Sequence, residues 1–449
     1  YYALAASLDA CCVADWTPIG IDSNGNDLNS GDGFAGVFEG LGHTISNLTI
    51  GANGPIDNAP VGLFGVSSGE IRDVSLTGAS VQGGYLSEAG LLVGDNENLV
   101  YNAYAEGDVS LTGGEGAAGG LVGYNGAAVI SSSAAGTVTV LSDGNISPEA
   151  LAAGGLVGAN DGIIYESHAA VDVAGPGDAV IGGLAGYSDG YIENAYATGA
   201  VNGGDGSAVG GLVGENDSGF VSDSHATGDV TGGQVVGGLV GTTGGGLILG
   251  SYATGDVTAD TAAVGGLIGD SQSSEIASSY ATGNVAGGDD SAAGGLVGYA
   301  DDSDITDSYA TGDVTGGDYL GDPSDYHDDP SAVGGLVGFN SATGITNSYA
   351  TGNVTAGNGM AVGGLAGYND DDIQGSYATG SVSGNYDVGG LVGYNDYDGD
   401  IYQSFAIGSA TGVGEDTWVG GLVGENGGSI KQSFATGSVT GDDGDAVGG

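Results

Sequence analysis

Residues 210–230 read GGLVGENDSGFVSDSHATGDV, and variants of this stretch recur along almost the whole chain. A Gly-Gly-Leu-Val-Gly element opens each copy, a polar turn follows, and an element of the type Ser-Tyr-Ala-Thr-Gly-x-Val closes it. The opening elements begin at Val61, Gly90, Gly119, Gly154, Gly182, Gly210, Gly237, Gly265, Gly294, Gly334, Gly363, Gly389, Gly420 and Gly448. Their mean spacing of about 30 residues indicates stacked repeats rather than a globular domain.

Each copy contains two or three short stretches with strand character, separated by glycine-rich and polar turns. No window shows the 3.6-residue periodicity of a helix. This is the amount of chain that one coil of a β-solenoid needs. The sequence therefore predicts an all-β protein, a β-solenoid or parallel β-helix of about 14 coils of about 28–30 residues.

Three columns of apolar residues run through the copies and are represented by Leu267, Ile276 and Ala281. In a solenoid, matching residues stack about 4.8 Å apart, so like side chains form ladders, and 14 coils would give a rod of roughly 65 Å. The sequence does not establish which columns face inward. Because the Ile and Ala columns lie five residues apart, a bend or bulge must separate them if both are buried.

Residues 1–60 depart from the repeat pattern and are predicted to form an N-terminal cap with the first coils. Residues 61–449 are predicted to be continuous solenoid, ending in the middle of a repeat, as in a piece of a longer exported product. The two cysteines, Cys11 and Cys12, are adjacent and cannot form a disulfide framework. A buried pair of small residues is the favoured interpretation; a strained vicinal disulfide and a bond to another chain are the alternatives.

The charge is strongly unbalanced, with 57 acidic residues, two basic residues and a formal net charge of -55. A nucleic-acid partner is excluded, because phosphate binding requires a basic surface. Self-repulsion of this size is screened at about 1 M salt, where the Debye length is roughly 3 Å. The composition therefore favours a protein of a halophilic microbe. An acidic exported protein from an ordinary habitat, or one whose acids bind Ca²⁺, is the alternative.

The repeats resemble the GLUG-motif repeats of bacterial and archaeal surface proteins, with Gly-Leu-Val-Gly followed by Ser-Tyr-Ala-Thr-Gly-x-Val. Residues 16–50 are also similar to the stretch that often precedes such repeats. This resemblance implies a right-handed β-helix located outside the cell, at the cell surface, as in adhesins, large exported haloarchaeal proteins and some immunoglobulin-cleaving metallopeptidases. It supplies no catalytic residues, because the motif itself is structural.

His168 and His225 fall in a column otherwise filled by tyrosine and phenylalanine, so they are predicted to be members of a ring stack. The same column could bind sugars, since an aromatic face with a polar tip suits them, but packing is the favoured interpretation. No His-Glu-x-x-His zinc motif occurs in the sequence. No apolar stretch approaches 18 residues, so the sequence predicts no membrane span.

Acidic residues cluster in the turns that follow the leucine column. Asp396, Asp398 and Asp400 have the spacing that best suits Ca²⁺, which prefers oxygen ligands. Calcium is the one cofactor that the sequence suggests, and no catalytic or cofactor-binding residue is predicted. The competing interpretation of these turns is a solvated acidic ridge.

Two further sets of residues are candidates for binding or modification. An insertion, residues 318–330, is predicted to form a loop that could bind a metal or a ligand, although an inert loop is the competing interpretation. Its candidate residues are Asp322, Asp325, His327, Asp328 and Asp329. The glycosylation candidates are the sequons at Asn47, Asn145, Asn216 and Asn353.

These observations favour a non-enzymatic extracellular stalk, adhesin or filament subunit. Its partners would be a glycan or protein receptor at the cell surface or outside the cell, or further copies of itself in fibres. One alternative is a polysaccharide-binding or polysaccharide-cleaving β-helix, whose paired carboxylates the abundance of acids leaves open. The other is a passive spacer beside a catalytic module outside this fragment.

Overall fold

The structure is a computed structural model that describes residues 1–13, 16–21, 33–142, 151–321, 331–414, 417–442 and 446–448. Within these residues every regular element is a β-strand, and each pairs in parallel with the matching strand of the next repeat. The chain is an all-β parallel β-solenoid of about 13 turns. The predicted architecture is confirmed, and the predicted number of about 14 coils is slightly too high, because 14 opening elements delimit 13 repeats.

The chain divides into two compact units, unit 1 from Tyr1 to Gly228 and unit 2 from Asp229 to Gly449. Each unit has four parallel sheets, numbered here in the order in which one coil meets them. Each strand of sheet 1 ends at the first glycine of an opening element, and each strand of sheet 2 begins at the valine position of that element. Sheet 3 carries the Ile/Val column. Sheet 4 carries the Tyr-Ala pair and the valine that closes the copy.

The strands of unit 1 are given sheet by sheet. Sheet 1 contains Ser87–Gly90, Gly116–Gly119, Leu151–Gly154, Val180–Gly182 and Ala208–Gly210. Sheet 2 contains Phe64–Ser67, Val93–Asn96, Val122–Asn125, Val157–Asn160, Ala185–Ser188 and Val213–Asp217. Sheet 3 contains Tyr2–Ala3, Val37–Glu39, Glu70–Arg72, Leu99–Tyr101, Ala128–Ile130, Ile163–Tyr165, Tyr191–Glu193 and Phe220–Ser222. Sheet 4 contains Leu8–Asp9, Thr44–Ser46, Thr49–Ile50, Ser75–Gly83, Tyr104–Thr112, Ser133–Leu141, His168–Ala174, Tyr196–Ala197, Val201–Asn202 and His225–Ala226.

Unit 2 repeats this arrangement with shorter strands in sheet 4. Sheet 1 contains Val235–Gly237, Ala262–Gly265, Ser291–Gly294, Ala332–Gly334, Ala361–Gly363, Asp387–Gly389, Trp418–Gly420 and Ala446–Gly448. Sheet 2 contains Val240–Gly244, Ile268–Gln272, Val297–Asp301, Val337–Ser341, Ala366–Asn369, Val392–Asn395 and Val423–Asn426. Sheet 3 contains Leu247–Leu249, Glu275–Ala277, Asp304–Thr306, Gly344–Thr346, Ile373–Gln374, Asp400–Tyr402 and Ser429–Lys431. Sheet 4 contains Val230–Gly232, Tyr252–Ala253, Val257–Ala259, Tyr280–Ala281, Val285–Gly287, Tyr309–Ala310, Val314–Thr315, Tyr349–Ala350, Val354–Thr355, Tyr377–Ala378, Val382–Gly384, Phe405–Ala406, Ala410–Gly412, Phe434–Ala435 and Val439–Thr440.

All three apolar columns face the core. Leu267, Ile276 and Ala281 are each 0% exposed. The bend predicted between the Ile and Ala columns is confirmed, because the residue two positions after the Ile/Val column has a positive φ, as in Asn194 (52°) and Ser278 (52°). A single left-handed residue reverses the alternation of side chains, so two columns at an odd spacing can both point inward.

The second glycine of most opening elements has no room for a side chain, although the element that begins at Gly90 carries the buried Leu91 at this position. A Cβ added to Gly266 would lie 2.1 Å from the carbonyl oxygen of Gly295 and 2.9 Å from the Cβ of Ala281. Glycine and alanine therefore occur together at this point because two neighbouring coils approach too closely for anything larger. This contact explains why the Ala column in this part of the core holds no larger residue.

The N-terminal segment adds strands to the first edges of two sheets in unit 1. Tyr2–Ala3 pairs with Val37–Glu39 in sheet 3, and Leu8–Asp9 pairs with Thr44–Ser46 in sheet 4. The predicted boundary of the cap at residue 60 stays a prediction.

The expectation that the two cysteines are buried is wrong. Cys11 and Cys12 are both exposed, because this part of the segment lies outside the core, and their sulfurs are 3.2 Å apart. Their hydrogen bond, together with Asp9, raises the pKa of Cys11 to about 11. Among the described residues, no helix is long and apolar enough to cross a membrane.

Candidate interaction surfaces

A ladder of buried serines runs along the corner between sheets 3 and 4. The Oγ of Ser279 donates to the carbonyl oxygen of Ala277 at 2.9 Å and accepts the backbone N–H of Ser251 at 3.2 Å. The same pattern in unit 2 joins Ser251, Ser279, Ser308, Ser348, Ser376, Ser404 and Ser433. In unit 1 the backbone N–H of Ser132 donates to the Oγ of Ser167 at 3.1 Å. The hydroxyls therefore supply the acceptors that backbone donors need at this corner.

A second ladder consists of buried asparagines at the ends of the sheet 2 strands. In unit 2, the Nδ2 of Asn340 donates to the Oδ1 of Asn369, and Asn369 donates in the same way to Asn395, both at 2.8 Å. In unit 1, Asn96 donates to Asn125 at 2.7 Å. Because these amides satisfy one another from coil to coil, they fix the register in which the coils stack.

A ladder of stacked rings lies on the outer side of sheet 4. Neighbouring rings of unit 2 have centroids 4.8–5.3 Å apart and lie within 7° of parallel, and they belong to Tyr252, Tyr280, Tyr309, Tyr349, Tyr377, Phe405 and Phe434. In unit 1, Tyr196 stacks between His168 at 4.6 Å and His225 at 5.1 Å. The prediction that both histidines belong to this ring stack is confirmed. Partial burial lowers the pKa of both imidazoles, so both favour the neutral form.

The outer face of sheet 3 differs between the two units. In unit 1 its residues are mainly apolar or aromatic, namely Leu99, Tyr101, Ala128, Ile130, Ile163, Tyr165, Tyr191 and Phe220. Ile163 is 45% exposed and Tyr191 is 60% exposed, and the ring of Tyr191 lies 5.9 Å from that of Phe220. We call these eight residues the apolar face of unit 1. An exposed patch of contiguous apolar side chains is typical of an interaction surface.

The outward faces of sheets 1 and 2 meet in a groove in each unit. A Cβ added to Gly367 of sheet 2 would lie 2.6 Å from the backbone nitrogen of Val333 in sheet 1. The two sheets therefore approach closely at these glycines, and the side chains beside them face one another across the groove. In unit 2, Ala332 and Ala361 of sheet 1 form one cluster with Tyr368 and Tyr394 of sheet 2.

Aromatic rings fill the groove of unit 2. Stacked rings of Tyr299, Phe339, Tyr368 and Tyr394 have centroid distances of 5.5, 4.2 and 5.5 Å. Tyr319 and Tyr386 pack against this cluster, and Tyr368 and Tyr394 are only 5% and 7% exposed. Tyr319 comes from the insertion, so the described start of that insertion covers the groove.

The groove of unit 1 is open by comparison. Its sheet 2 column reads Tyr124, Ala159 and Tyr187 in register, facing Ala117 and Ala152 of sheet 1. A cavity of about 360 Å³ lies between these residues and extends to Leu86, Ser87, Glu88, Glu115 and Gly116.

Asp387 is a buried carboxyl in unit 2. It is 0% exposed, and neither of its oxygens has a hydrogen-bond partner among the described residues. Burial, followed by the nearby charge of Glu425, raises the pKa of Asp387 to about 8. The shift resembles that of a catalytic acid, but a side chain without exposed surface cannot reach a polysaccharide.

The three residues predicted to bind Ca²⁺ do not converge in the structure. Asp396 accepts hydrogen bonds from the hydroxyl of Tyr368 at 2.6 Å and from the backbone N–H of Tyr397 at 2.7 Å. Asp400 pairs with the ammonium group of Lys431 at 3.3 Å, and Asp398 lies in the turn between them. In the described ranges, no group of three or more His, Cys, Asp or Glu side chains is placed to hold a metal ion. Calcium binding at this turn stays a prediction.

The predicted binding loop lies outside the described residues, because Asp322, Asp325, His327, Asp328 and Asp329 all belong to residues 322–330. Asn145 also lies outside them.

The other three sequons are in the described part of the chain. Asn216 is 0% exposed, and its Nδ2 donates to the carbonyl oxygen of Gly219, so burial removes it as a glycan acceptor in the folded chain. Asn47 and Asn353 are exposed, and their Nδ2 atoms donate to Asp9 at 2.9 Å and to Asp313 at 3.1 Å. Glycosylation at these two residues stays a prediction.

The serine and asparagine ladders were not predicted, although the sequence indicates them by the position at which each residue type recurs in the repeat. Serine precedes the tyrosine of most closing elements, and asparagine recurs three residues after the valine of many opening elements. A polar residue repeated at one position of a stacked coil indicates a ladder. The groove had no such signal, because it depends on how sheets 1 and 2 are placed relative to each other.

The GLUG motif family matches this chain at residues 205–231, 289–315, 329–355, 358–383, 384–411 and 419–440. Part of the chain is also similar to halomucin from Haloquadratum walsbyi, with 35% identity over 127 residues. That segment is 27% of this chain, and it spans about 1% of the length of halomucin.

A crystal structure from Bacteroides ovatus, of a protein proposed to be an immunoglobulin A1 protease, covers 79% of this chain and 70% of its own. The identity is 21% and the TM-score is 0.22, so this likeness supports no conclusion about function.

Proposed function

We propose that this chain, six segments of which match the GLUG motif, is a non-enzymatic structural or adhesive protein that acts outside the cells of a halophilic microbe. The similarity of one segment to halomucin of Haloquadratum walsbyi supports this proposal, although it covers a small part of that protein. The net charge of -55 supports it as well, since a chain with this charge repels itself strongly unless salt screens the repulsion.

The apolar face of unit 1 is the observation that carries the adhesive part of the proposal. Its members stack in register along sheet 3, as Ala128, Ile163 and Tyr191 do in consecutive strands. Two columns of side chains point outward from sheet 3, at the first and third residue of each strand. The first column carries no charged residue from Leu99 to Phe220, and the second carries none from Tyr101 to Tyr165. Charged residues border these positions at both ends, with Glu70 and Arg72 before Leu99 and Tyr101 and Glu193 after Tyr165. A partner that meets the face between them therefore contacts mainly apolar side chains.

The partner proposed for this face is a second copy of the chain. Two strongly acidic molecules repel each other over most of their surfaces, and an uncharged face is where they can meet at the lowest electrostatic cost. High salt screens the remaining repulsion. The apolar contact itself does not depend on charge and persists in salt. Association through this face would join copies into an assembly outside the cell.

Sedimentation velocity in about 3 M NaCl tests this proposal, because salt at that concentration screens the repulsion between copies. We expect the unaltered chain to associate as its concentration rises. The double variant Ile163→Asp and Tyr191→Asp should stay monomeric, because it places two carboxylates on the face. The control variant, Thr306→Asp and Thr346→Asp, adds the same charge to the matching face of unit 2 and should associate like the unaltered chain.

Two results would contradict the proposal. One is a chain that stays monomeric at every concentration, which would leave the face to a different partner. The other is an equal loss of association in both double variants, which would mean that net charge rather than the apolar face controls association.

A further inference from the structure

The open groove of unit 1 contains a gap in a column of rings, and it lies on a different surface from the apolar face of unit 1. Tyr124 pairs in register with Ala159, and Ala159 pairs with Tyr187. The matching column of unit 2 carries a ring at each of four consecutive coils, from Tyr299 to Tyr394. At Ala159 the ring is absent, and we call the space between Tyr124 and Tyr187 the tyrosine slot.

The slot has a definite thickness. Tyr124 and Tyr187 are two strand spacings apart along the solenoid, which is about 9.6 Å. Carbon atoms in contact lie about 3.5–4.0 Å apart. When one such contact distance is subtracted on each side of a guest molecule, about 2 Å remains for the distance between the guest's own outermost heavy atoms. Planar side-chain rings occupy the same spacing in unit 2, where the ring of Phe339 lies 5.5 Å from that of Tyr299 and 4.2 Å from that of Tyr368. A puckered, saturated six-membered ring with its substituents fills the space more completely than a planar ring.

The floor of the slot is small and apolar. Ala117 and Ala152 of sheet 1 line it together with Ala159, and Ala117 and Ala152 are 7% and 8% exposed. The cavity of about 360 Å³ falls within the range of small-molecule sites and exceeds the volume of one sugar ring. Its floor can therefore accept the C–H groups of a ring that enters edge first.

Polar groups lie beside the slot. The hydroxyl of Tyr124 donates to the Oδ2 of Asp161 at 2.6 Å. Glu88 and Glu115 line the cavity. Burial and the nearby carboxylates, Asp217 foremost among them, raise the pKa of Tyr187 to about 12, so its phenol stays a neutral donor. Carboxylate acceptors and phenol donors around an aromatic sandwich suit the hydroxyl groups of a sugar, and the same carboxylates repel anionic sugars.

We propose that the tyrosine slot of unit 1 binds one uncharged hexopyranose unit of a glycan, held between Tyr124 and Tyr187. The C–H groups of the sugar face the two rings and the alanine floor. Its hydroxyl groups donate to the carboxylates of Glu88, Glu115 and Asp161. This assignment does not depend on self-association through the apolar face of unit 1.

Isothermal titration calorimetry in about 3 M NaCl tests the assignment with four disaccharides: maltose, cellobiose, lactose and N,N′-diacetylchitobiose. We expect at least one of them to bind with a dissociation constant of about 1 mM or lower. In Ala159→Tyr a ring occupies the slot, as rings do in unit 2, and binding of that sugar should weaken at least tenfold. Tyr187→Ala removes one wall and should weaken binding to a similar extent.

Thr242→Tyr is the matched control, because Thr242 lies in the same outward column of sheet 2 in unit 2 and far along the sequence from the slot. It should bind the sugar as the unaltered chain does, and circular dichroism should show the same β structure in all variants. The assignment is overturned if none of the four disaccharides binds, or if Ala159→Tyr leaves their binding unchanged. A third result would also overturn the assignment. If none of the sugars binds, but tetramethylammonium chloride binds and Ala159→Tyr abolishes that binding, the slot selects an organic cation.

Discussion

At the same position of the coil, unit 1 places Ile163 and Tyr191 on the outer face of sheet 3, whereas unit 2 places Leu247 there in its first strand and then Glu275 and Asp304. In the groove between sheets 1 and 2, unit 2 is the more aromatic of the two units. Its groove contains stacked aromatic rings, whereas the groove of unit 1 is open. The buried columns are the same in both units. The buried ladders therefore recur in both units, whereas the outward positions differ between them, and the predictions below test what those differences do.

The largest expected effect concerns Asp387, a buried carboxyl. The matching column of unit 1 holds the partly exposed Glu88, followed by the apolar residues Ala117, Ala152 and Val180. The carboxyl has a pKa of about 8 in the folded chain and 3.8 as its ordinary value, so the folded state holds a proton that the unfolded state releases between these values. The contribution of Asp387 to stability therefore falls as pH rises from about 4 to about 8. The neutral isostere Asp387→Asn should be more stable than the unaltered chain at pH 8, by about 5 kcal/mol at most.

Denaturant unfolding at pH 5 and pH 8 measures this effect, and hydrogen exchange shows whether it is confined to unit 2. Asp398→Asn is the control, because it removes one exposed carboxylate from unit 2 and should not change the pH dependence. Equal pH dependence in the unaltered chain and in Asp387→Asn would show that the carboxyl is ionised in the fold.

The second prediction concerns what the units share. Gly155 of unit 1 and Gly335 of unit 2 each lie where an added Cβ would be 2.1 Å from a carbonyl oxygen of the next coil. Gly155→Ala and Gly335→Ala should therefore each destabilise their own unit by about 3 kcal/mol, as overpacking of a stacked core does. Hydrogen exchange locates the loss of protection in unit 1 or unit 2.

Gly344→Ala is the control for this pair, since its added Cβ would come no closer than 3.3 Å to the Oδ1 of Asp304, which can move. A much smaller effect in one unit than in the other would mean that the two cores are not equally tight.

The coil and its buried columns could be predicted because each repeat is the neighbour of the next, so spacing in the sequence becomes spacing in space. The bend between the Ile and Ala columns followed from their odd separation. The residue that makes the bend could not be identified, because it is Asn194 in one coil, Ser278 in another and Gln403 in a third. Because several residue types adopt this backbone conformation, no single residue type recurs at this position of the repeat.

The candidate surfaces were less predictable for a different reason. The tyrosine slot depends on the close approach of sheets 1 and 2, which glycine contacts with backbone atoms decide. The burial of Asp387 depends in the same way on residues from other sheets and coils. Neither relation appears in the order of residues within one repeat. Acid clusters such as Asp396 to Asp400 are visible in the sequence, but their side chains turn toward Tyr368 and Lys431 instead of toward one another.

The third prediction converts the sheet 3 face of unit 2 into one like that of unit 1. Glu275 and Asp304 are neighbours in the outward column, as Ala128 and Ile163 are in unit 1. The double variant Glu275→Leu and Asp304→Ile should create a second apolar face and strengthen self-association in about 3 M NaCl by roughly tenfold. At this salt concentration the repulsion between charges is screened, so apolar contact makes the largest contribution to the free energy of association. Sedimentation velocity measures the change. A double variant Glu275→Gln and Asp304→Asn separates loss of charge from gain of apolar surface, and association equal to that of the Leu and Ile variant would attribute the effect to charge alone.

The smallest expected effect concerns the surface carboxylates that stack from coil to coil. In unit 2, the Oδ1 of Asp229 accepts the backbone N–H of Asp256 at 3.0 Å, which places two carboxylates in adjacent coils. The matching column of unit 1 alternates, with Thr137 between Asp108 and Asp172. Asp256→Asn keeps an acceptor oxygen and removes one charge, so unit 2 should unfold at a slightly lower salt concentration than in the unaltered chain.

Thr137→Asp is the reciprocal change, because it creates three consecutive carboxylates in unit 1 and should raise the salt concentration that unit 1 needs. Circular dichroism during dilution of salt, combined with hydrogen exchange for each unit, measures both shifts. Opposite shifts that are each confined to the unit carrying the substitution would show that adjacent stacked carboxylates, rather than total charge, set the salt requirement of each unit. If both variants instead shift with net charge alone and in both units equally, the requirement belongs to the whole chain, and the alternating column of unit 1 has no protective role.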